Sequence, residues 1–298
     1  MNNNLKAHAG LLGTNLFFAI NLSAVKYLTG NNLMQPFGIN LIRVAVSVFL
    51  FWMLYVINPN GKKIERADVP RFILCAITGV AINQMLFLKG LSLTYSIHAV
   101  LLMLTTPILI TIIAVWLLKE IINLIKIIGL GLGISGAIVL ISSRQNTGSG
   151  DHVLLGDLLI IINAVSYTFY FILVKPLMLK YNPVQVIRMV FTIGLFFVLP
   201  FGWKEFTEIN WLTLGNIGYT CIGLIVIGGT FLAYLFNVYG IKILGASVAG
   251  AYIYIQPVFA TIIAMIFLKE ALEFYKLIAA ALIFTGVYLT NKTTGNKP

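Results

Sequence analysis

The sequence predicts an all-α integral membrane protein whose ten transmembrane helices form two inverted repeats of five helices. Three observations predict this fold class. First, 59% of the 298 residues are hydrophobic and only 10% are charged, whereas about a quarter of the residues of a soluble domain are charged. Second, the apolar residues fall into ten runs, each long enough to cross a bilayer, which takes about 20 helical residues. Third, the chain repeats itself internally.

Short stretches rich in glycine, proline, asparagine and charge separate the ten runs and are typical of turns. A Ser/Gly/Asn-rich stretch at 142–152 is expected to link two domains, 9–142 and 155–291. The first run is expected to be a span rather than a signal peptide, because it is long and no cleavage site follows a short apolar core. The predicted spans are 9–29, 36–57, 71–91, 97–118, 122–142, 155–174, 183–201, 213–239, 246–268 and 272–291.

The net charge of +11 comes mainly from basic residues in the predicted loops. No basic-aromatic groove or nucleic-acid motif accompanies them, so nucleic acid is not an expected partner. Lys and Arg concentrate in the cytoplasmic loops of membrane proteins. With the N-terminus inside, 12 of these residues fall in inner loops and 6 in outer loops, which predicts that both termini are cytoplasmic.

The internal repeat is seen when the chain is shifted by 150 residues. Of the 30 positions in 107–136, 12 are identical to their counterparts in 257–286. Apolar bias alone would match a few Ile and Leu residues, but not proline, a Lys-Glu pair and glycine in register. Each half holds five spans, an odd number, so the second half must be inverted relative to the first. The matched residues include Pro107 and Pro257, Lys119-Glu120 and Lys269-Glu270, and Gly136 and Gly286.

Two further features recur in both halves, and together with the repeat they indicate a family. Each half has an arginine early in its second span, Arg43 or Arg188, and a P-x(10)-L-K-E pattern that begins at Pro107 or Pro257. In these respects the chain resembles the drug/metabolite transporter superfamily, and each half is similar to an EamA-type domain. The first span departs from the family pattern, since Thr14-Asn15 stands where a Trp-Gly pair is common. The resemblance implies export or exchange of amino acids and other metabolites, usually across a bacterial inner membrane.

Pro107 and Pro257 are the only prolines well inside predicted spans. Each removes a backbone donor from its helix, so each is either a flexible point that exposes a carbonyl to the substrate path or a fixed kink. Arg43 and Arg188 are costly if they face lipid. They could snorkel, bind a lipid headgroup or donate to backbone carbonyls, and their recurrence favours a shared structural role over substrate contact. The Lys-Glu pairs at span ends favour interfacial anchoring and tight turns over a gating salt bridge.

Polar and aromatic side chains recur at helical spacing inside the predicted spans, and such faces avoid lipid. Hydrogen bonds between helices account for part of this pattern. The remainder predicts a neutral pocket rich in Tyr, Asn and Gln, which suits a polar or zwitterionic metabolite with an apolar part. The predicted substrate-binding residues are Asn21, Asn83, Gln84, Thr106, Tyr167, Tyr170, Tyr234, Asn237, Tyr252 and Gln256.

The nine acidic residues are all expected in loops or at span ends, so transport driven by a buried carboxylate is not expected. His8, His98 and His152 show no metal spacing, and neither a metal nor a cofactor is expected; His98 is expected to be a polar residue at the membrane interface. Small residues such as Gly133 and Gly286 in the last span of each half are expected to allow close packing, or less commonly a dimer contact. The expected assembly is a monomer or a homodimer in the lipid bilayer.

The predicted function is transport of a small amphipathic metabolite, by export or exchange, through a pocket between the two halves. A flippase of a lipid or lipid-linked compound remains an alternative within the same class. A membrane-embedded enzyme is less favoured, because the sequence shows no histidine-metal cluster, no Asp-rich motif and no nucleophile with a base. A channel is less favoured because no selectivity-filter motif is present, and inverted duplication argues against a receptor.

Overall fold

The computed structural model of the chain describes residues 3–57, 59, 61–106, 108–109, 112–113, 124–142, 150–244, 252 and 255–292. Throughout these residues the regular secondary structure is helical. These residues include two π-helical segments. Ile77–Ala81 joins the helices Val69–Ala76 and Ile82–Leu93, and Leu224–Leu232 joins the helices Gly215–Gly223 and Ala233–Leu244. The helices are α1 (Asn3–Gly30), α2 (Pro36–Ile57), α3 (Val69–Ala76), α4 (Ile82–Leu93), α5 (Ser96–Met103), α6 (Leu124–Ser142), α7 (Gly150–Lys180), α8 (Pro183–Thr207), α9 (Gly215–Gly223), α10 (Ala233–Leu244), α11 (Gln256–Phe267) and α12 (Phe274–Lys292).

Among the described residues, six helical runs are long and apolar enough to cross a membrane. This finding confirms the prediction of an all-helical protein with several spans. The six runs are Asn3–Gly30, Pro36–Ile57, Arg66–Leu93, His152–Lys180, Pro183–Thr207 and Gly215–Gly240. Three shorter apolar helices, Ile127–Leu140, Gln256–Phe267 and Phe274–Leu289, lie within the fifth, ninth and tenth predicted spans. The fourth predicted span is described mainly through α5.

Two contacts define the ends of the helix bundle. At what we term the Lys26 end, the Lys26 ammonium donates to three backbone carbonyls at 91–94, so the last turn of α1 lies beside the end of α4. At the opposite Lys180 end, Lys180 Nζ lies 2.6 Å from a carboxylate oxygen of both Glu65 and Asp68. Successive helices run between these two ends, with the main packing pairs α1–α10, α2–α8, α4–α7 and α6–α12.

Each π-helical segment carries a glycine against which a side chain from another helix packs closely. A Cβ at Gly79 would lie 2.3 Å from the ring of Tyr170 on α7, and a Cβ at Gly229 would lie 2.6 Å from the side chain of Asn21 on α1. Gly79 and Gly229 are related by the shift of 150 residues seen in the sequence. The two π-segments are therefore packed in the same way, each by the first span of the other half.

A pair of matching hydrogen bonds lies one turn further along the same helices. The Thr14 hydroxyl on α1 donates to the Ala233 carbonyl at 3.2 Å, and the Asn163 amide on α7 donates to the Asn83 carbonyl at 2.7 Å. Each of these bonds joins the first span of one half to the helix that follows the π-segment of the other half. The acceptors Asn83 and Ala233 are again 150 residues apart.

The close approach predicted for the last span of each half is present between α6 and α12. A Cβ at Gly286 would lie 2.6 Å from the carbonyl oxygen of Gly129 and from the backbone nitrogen of Gly133. Both neighbours are backbone atoms, which cannot move aside as a flexible side chain can. The small residues at this crossing therefore set the distance between the two helices.

Gly286→Ala is accordingly expected to lower the free energy of unfolding by about 1–3 kcal/mol, the usual cost of overpacking. Thermal unfolding of the detergent-purified protein, followed by tryptophan fluorescence, measures this change. Gly131→Ala is the matched control, because a Cβ at Gly131 would meet no atom within 4 Å and alanine favours a helix by up to about 1 kcal/mol. Equal losses of stability in the two variants would contradict the contact.

Candidate functional site

Six buried polar side chains on α1, α2 and α4 form what we term the polar layer. Each has at least one nitrogen or oxygen with no hydrogen-bond partner among the described residues. Such atoms are uncommon in folded proteins, because burying a polar group without a hydrogen bond costs a few kcal/mol. The polar layer is therefore the part of the interior best suited to receive hydrogen bonds from a bound molecule. Its members are Asn21, Ser23, Asn40, Arg43, Ser47 and Gln84.

All six residues lie at a similar depth in the bundle. Each is 4 to 11 residues from the end of its helix at the Lys26 end, which at 1.5 Å per residue corresponds to about 6–17 Å. On α2, Asn40, Arg43 and Ser47 follow one another at i, i+3 and i+7, so they share one helical face. The sequence analysis named Arg43 but not Asn40 or Ser47, although this spacing could have revealed them.

Arg43 gives the polar layer its positive charge. Its side chain is 6% exposed, and neither Nε nor Nη1 has a partner among the described residues. The Tyr234 hydroxyl lies within electrostatic range of the guanidinium. The Tyr234 ring in turn makes edge contacts with Phe18 and Phe191, at centroid distances of 6.4 and 5.4 Å. An unpaired cation thus lies beside an aromatic wall.

The predicted tyrosines of α7 face the same region. The rings of Tyr167 and Tyr170 lie 5.8 Å apart, and Tyr170 and Tyr234 pack against the same hydrophobic cluster. Tyr170 is half-buried against Gly79, whereas Tyr167 is 39% exposed. The structure therefore brings together tyrosines from the sixth and eighth predicted spans. Tyr167 is the most exposed of the three.

Other predicted site residues make contacts between or within helices. The Asn83 amide donates to the Asn163 carbonyl at 3.3 Å, the Thr106 hydroxyl bonds the Met103 carbonyl, and the Tyr252 hydroxyl lies 2.7 Å from His8 Nδ1. These contacts fit helix packing, which the sequence analysis had named as the alternative. Asn237 and Gln256 are half-buried side chains of α10 and α11.

The expectation for the prolines requires a correction. Pro257 occupies the first turn of α11, where a helix needs no backbone donor, so it removes no hydrogen bond from the interior of that helix. Pro107 lies outside the described residues. Pro176 and Pro200 were expected at span ends, but they lie inside α7 and α8, which continue to Lys180 and Thr207. The statement that only two prolines lie within helices is therefore wrong.

One acidic residue, Asp157, is buried near the start of α7; the sequence analysis placed it at a span end without predicting its burial. Asp157 is on the third turn of α7 and is 0% exposed. Its carboxylate accepts a hydrogen bond from the Thr94 hydroxyl, and its other oxygen lies 3.1 Å from His98 Nδ1. Its position close to the start of the helix gave no sign of this burial in the sequence. That transport is not driven by a buried carboxylate stays a prediction.

The expectation for His98 is also wrong. His98 is 1% exposed rather than interfacial, and its Nε2 lies 3.0 Å from the Tyr275 hydroxyl. The chain Thr94–Asp157–His98–Tyr275 joins α4, α5, α7 and α12 close to the Lys26 end, and we term it the latch. Among the described residues, no group of three or more His, Cys, Asp or Glu side chains could hold a metal ion.

Two glutamates at the Lys26 end cap helices. The Glu270 carboxylate accepts from the backbone amides of Ser96 and Ile97 at 2.8 and 3.0 Å, so it caps the start of α5. Glu205 accepts in the same way from the amides at 37–38, which begin α2. A carboxylate at a helix N-terminus is favourable because of the helix dipole. The neighbouring Lys269 has a φ of 55°, as a tight turn requires. Glu270 therefore closes the loop against α5.

Arg188 does not occupy the same surroundings as Arg43. Its guanidinium carbon lies 3.7 Å from the ring centroid of Tyr55 and 4.7 Å from that of Trp52. Trp52 is held by a 3.0 Å hydrogen bond from its indole to the Thr192 hydroxyl. Arg43 thus lies in the polar layer, whereas Arg188 is stacked on aromatic rings near the Lys180 end.

Comparison with known proteins agrees with the helical architecture. The sequence profile of the EamA-like transporter family matches residues 5–142 and again residues 154–292. The chain belongs to the EamA-like transporter family. It is therefore a multi-pass transmembrane transporter, and the resemblance to the drug/metabolite transporter superfamily is confirmed.

Relatives of this EamA-like transporter carry the same broad description. The uncharacterized transporter YetK of Bacillus subtilis (strain 168) is 27% identical over 249 residues, which cover 83% of this chain and 75% of YetK. An uncharacterized transporter of Archaeoglobus fulgidus is 25% identical over 297 residues, covering 96% and 98% of the two chains. A crystal structure with 17% identity matches 96% of each chain with a TM-score of 0.62, which shows the fold alone.

Proposed function

We propose that this EamA-like transporter moves a small amphipathic metabolite, an amino acid or a similar compound, by alternating access between two inverted repeats of five spans. The observation that carries the proposal is the polar layer, whose buried nitrogen and oxygen atoms lack hydrogen-bond partners among the described residues. In transporters built from inverted repeats, substrates bind near the membrane midplane at the repeat interface. The polar layer, the tyrosine group and the aromatic wall are the surfaces that such a pocket would present.

The matching contacts of the two π-segments support the inverted repeat. Asn21 packs on Gly229 as Tyr170 packs on Gly79, and the Thr14 and Asn163 hydrogen bonds match in the same way. In each case the first span of one half contacts the third span of the other half. A two-fold axis in the membrane plane produces this exchange of partners. With ten spans, the domains are 9–142 and 155–291.

Arg43 refines the substrate class. A buried cation with two unpaired donor nitrogens suits an anionic group such as a carboxylate, and the Phe18, Phe191 and Tyr234 rings suit an apolar side chain. An amino acid combines both features. This assignment differs from the sequence analysis, which favoured a structural role for Arg43 and a pocket without charge. Export or exchange is the proposed direction, as for the superfamily.

The proposed orientation places the Lys180 end in the cytoplasm and the Lys26 end outside. The 12-to-6 bias of Lys and Arg supports this orientation, with both termini inside. The proposed location is a bacterial inner membrane. The latch and the caps made by Glu205 and Glu270 then close the outer side of the substrate path.

A thermal-shift screen of the purified protein against metabolites tests the function, followed by titration of each compound that stabilises it. Tyr234→Phe and Gln256→Ala are each expected to weaken binding roughly fivefold to tenfold, as for the loss of one hydrogen bond of about 1 kcal/mol. Tyr219→Phe is the matched control, because the Tyr219 hydroxyl bonds the Trp211 carbonyl on the exposed surface at the Lys26 end. Unchanged affinity in both test variants would remove these residues from the pocket.

A lipid-scrambling assay with the same protein in liposomes separates the flippase alternative. Metabolite transport without lipid scrambling is the result expected for the proposed function. The opposite result would be that no metabolite stabilises the protein or is transported by it, while labelled lipid moves between the leaflets. That result would replace metabolite transport with lipid flipping as the function.

A further inference from the structure

A cavity with apolar and polar lining lies at the Lys180 end, between the end of α2 and the start of α8. Its volume is about 180 Å³, and Tyr55, Asn182, Gln185 and Arg188 are among the residues that line it. A single water needs only about 10–15 Å³, so the cavity has room for a polyatomic group. It is distinct from the polar layer, which lies nearer the Lys26 end.

Arg188 is the charged side chain of this cavity. Its side chain is 6% exposed, and its Nε has no hydrogen-bond partner among the described residues. Contacts with the rings of Tyr55 and Trp52 hold the guanidinium in place. A guanidinium fixed in this way matches the oxygen geometry of phosphate and carboxylate groups.

The start of α8 adds favourable dipoles on the same side. The helix is 25 residues long and begins at Pro183, with the Asn182 side chain capping the amide of Val184 at 3.0 Å. The N-terminus of such a helix favours an anion. Gln185 is held in place, because its side-chain amide bonds both the N–H and the carbonyl of Lys62.

Among the described residues, two acidic groups at this end, Glu65 and Asp68, already have partners. Lys180 lies 2.6 Å from carboxylate oxygens of both Glu65 and Asp68, and the Tyr181 hydroxyl donates to Asp68 at 2.6 Å. Lys180 balances one of these two carboxylate charges, and the loop that bonds Gln185 carries Lys62 and Lys63, so the cations among these residues, with Arg188, outnumber the carboxylates.

We infer that the Arg188 cavity binds a phosphate group, supplied by the headgroup of an anionic phospholipid. The lipid source follows from the surface beside Arg188: Trp52, whose ring lies 4.7 Å from the guanidinium carbon, is 38% exposed, and Met53 and Val56 on the same end of α2 are 52% and 76% exposed, where acyl chains would lie. A phosphodiester held by Arg188 and the start of α8 places those chains along α2. The cytoplasmic leaflet, which this end would face, is rich in anionic lipid.

The test is a titration of the detergent-purified protein with phosphatidylglycerol, phosphatidylcholine and inorganic phosphate, read by native mass spectrometry and thermal unfolding. The wild-type protein is expected to bind phosphatidylglycerol more tightly than phosphatidylcholine. Arg188→Gln is expected to weaken phosphatidylglycerol binding roughly tenfold or more, as for one lost charge-assisted hydrogen bond, and Arg188→Lys to weaken it less. Arg71→Gln, which removes an exposed cation near the same end, is expected to leave it unchanged.

The arms of the experiment distinguish the source of the phosphate. Phosphatidylglycerol binding that depends on Arg188, without a response to inorganic phosphate, supports a lipid headgroup. A response to inorganic phosphate that Arg188→Gln removes supports the same site with a soluble phosphate compound. Equal binding of both lipids by the wild-type protein, together with no phosphate response, overturns the inference even if the Arg188 variants fail to fold. An equal loss of affinity for phosphatidylglycerol in Arg188→Gln and Arg71→Gln also overturns the inference.

Discussion

Arg43→Gln is expected to lower the affinity for the transported metabolite roughly 10- to 100-fold and to stabilise the substrate-free protein. The first effect follows from the loss of a charge-assisted hydrogen bond of about 1.5–3 kcal/mol to the proposed carboxylate. The second follows because Nε and Nη1 of the buried guanidinium have no partner among the described residues, and burial of an unpaired charge destabilises a protein. Glutamine keeps part of the volume and removes the charge.

These opposite effects separate substrate binding from a structural role. If Arg43 held neighbouring helices together, Arg43→Gln would lower the midpoint of thermal unfolding, whereas we expect that midpoint to rise without substrate and the substrate-induced shift to vanish. Arg43→Lys is expected to recover part of the affinity. Arg71→Gln removes the same charge from an exposed site and serves as the control. A lower midpoint with unchanged affinity would assign Arg43 to helix packing.

Asp157→Asn is expected to loosen the Lys26 end and to increase the population of molecules open there. The carboxylate accepts from Thr94 and faces His98 in surroundings closed to solvent. Removing one partner from a buried polar network costs about 1–3 kcal/mol, and the whole cost falls on the state in which the latch is formed. A change of that size shifts the closed-to-open ratio roughly 5- to 100-fold.

Labelling of a cysteine at Ser96 with a membrane-impermeant maleimide measures this opening. Ser96 is 0% exposed beside the latch, and the two native cysteines, Cys75 and Cys221, are buried and would be replaced by alanine. The rate of labelling is expected to rise with Asp157→Asn and to stay unchanged with Asp68→Asn at the Lys180 end. Unchanged labelling with reduced thermal stability would show that the latch is structural and does not open.

The sequence predicted those parts of the fold that depend on periodicity. The helical spans follow from runs of apolar residues, and the crossing at Gly286 follows from small residues in register with Gly136. The long helices α7 and α8 were not predicted in full, because Pro176 and Pro200 read as span ends. Proline is tolerated inside transmembrane helices when neighbouring groups satisfy the freed carbonyls, and that property depends on packing.

The candidate site was predicted less completely, because it depends on which helices meet. Spacing alone placed Tyr234 and Asn21 on interior faces, and both contact other helices in the interior. Spacing did not reveal that Asp157 and His98 meet, since 59 residues separate them and each lies near a helix end. Partners brought together by packing of distant helices leave no signal in a single sequence.

The most direct test of the account is a counterflow measurement in proteoliposomes, using a metabolite found in the thermal-shift screen. Vesicles loaded with unlabelled compound are diluted into a trace of labelled compound, and a carrier that alternates between two sides exchanges one for the other. The wild-type protein is expected to give transient, saturable accumulation of label, and Arg43→Gln at the same protein density is expected to give none. Equal accumulation of label by the two proteins would contradict transport through the polar layer. So would the absence of accumulation by the wild-type protein with every metabolite that stabilises it.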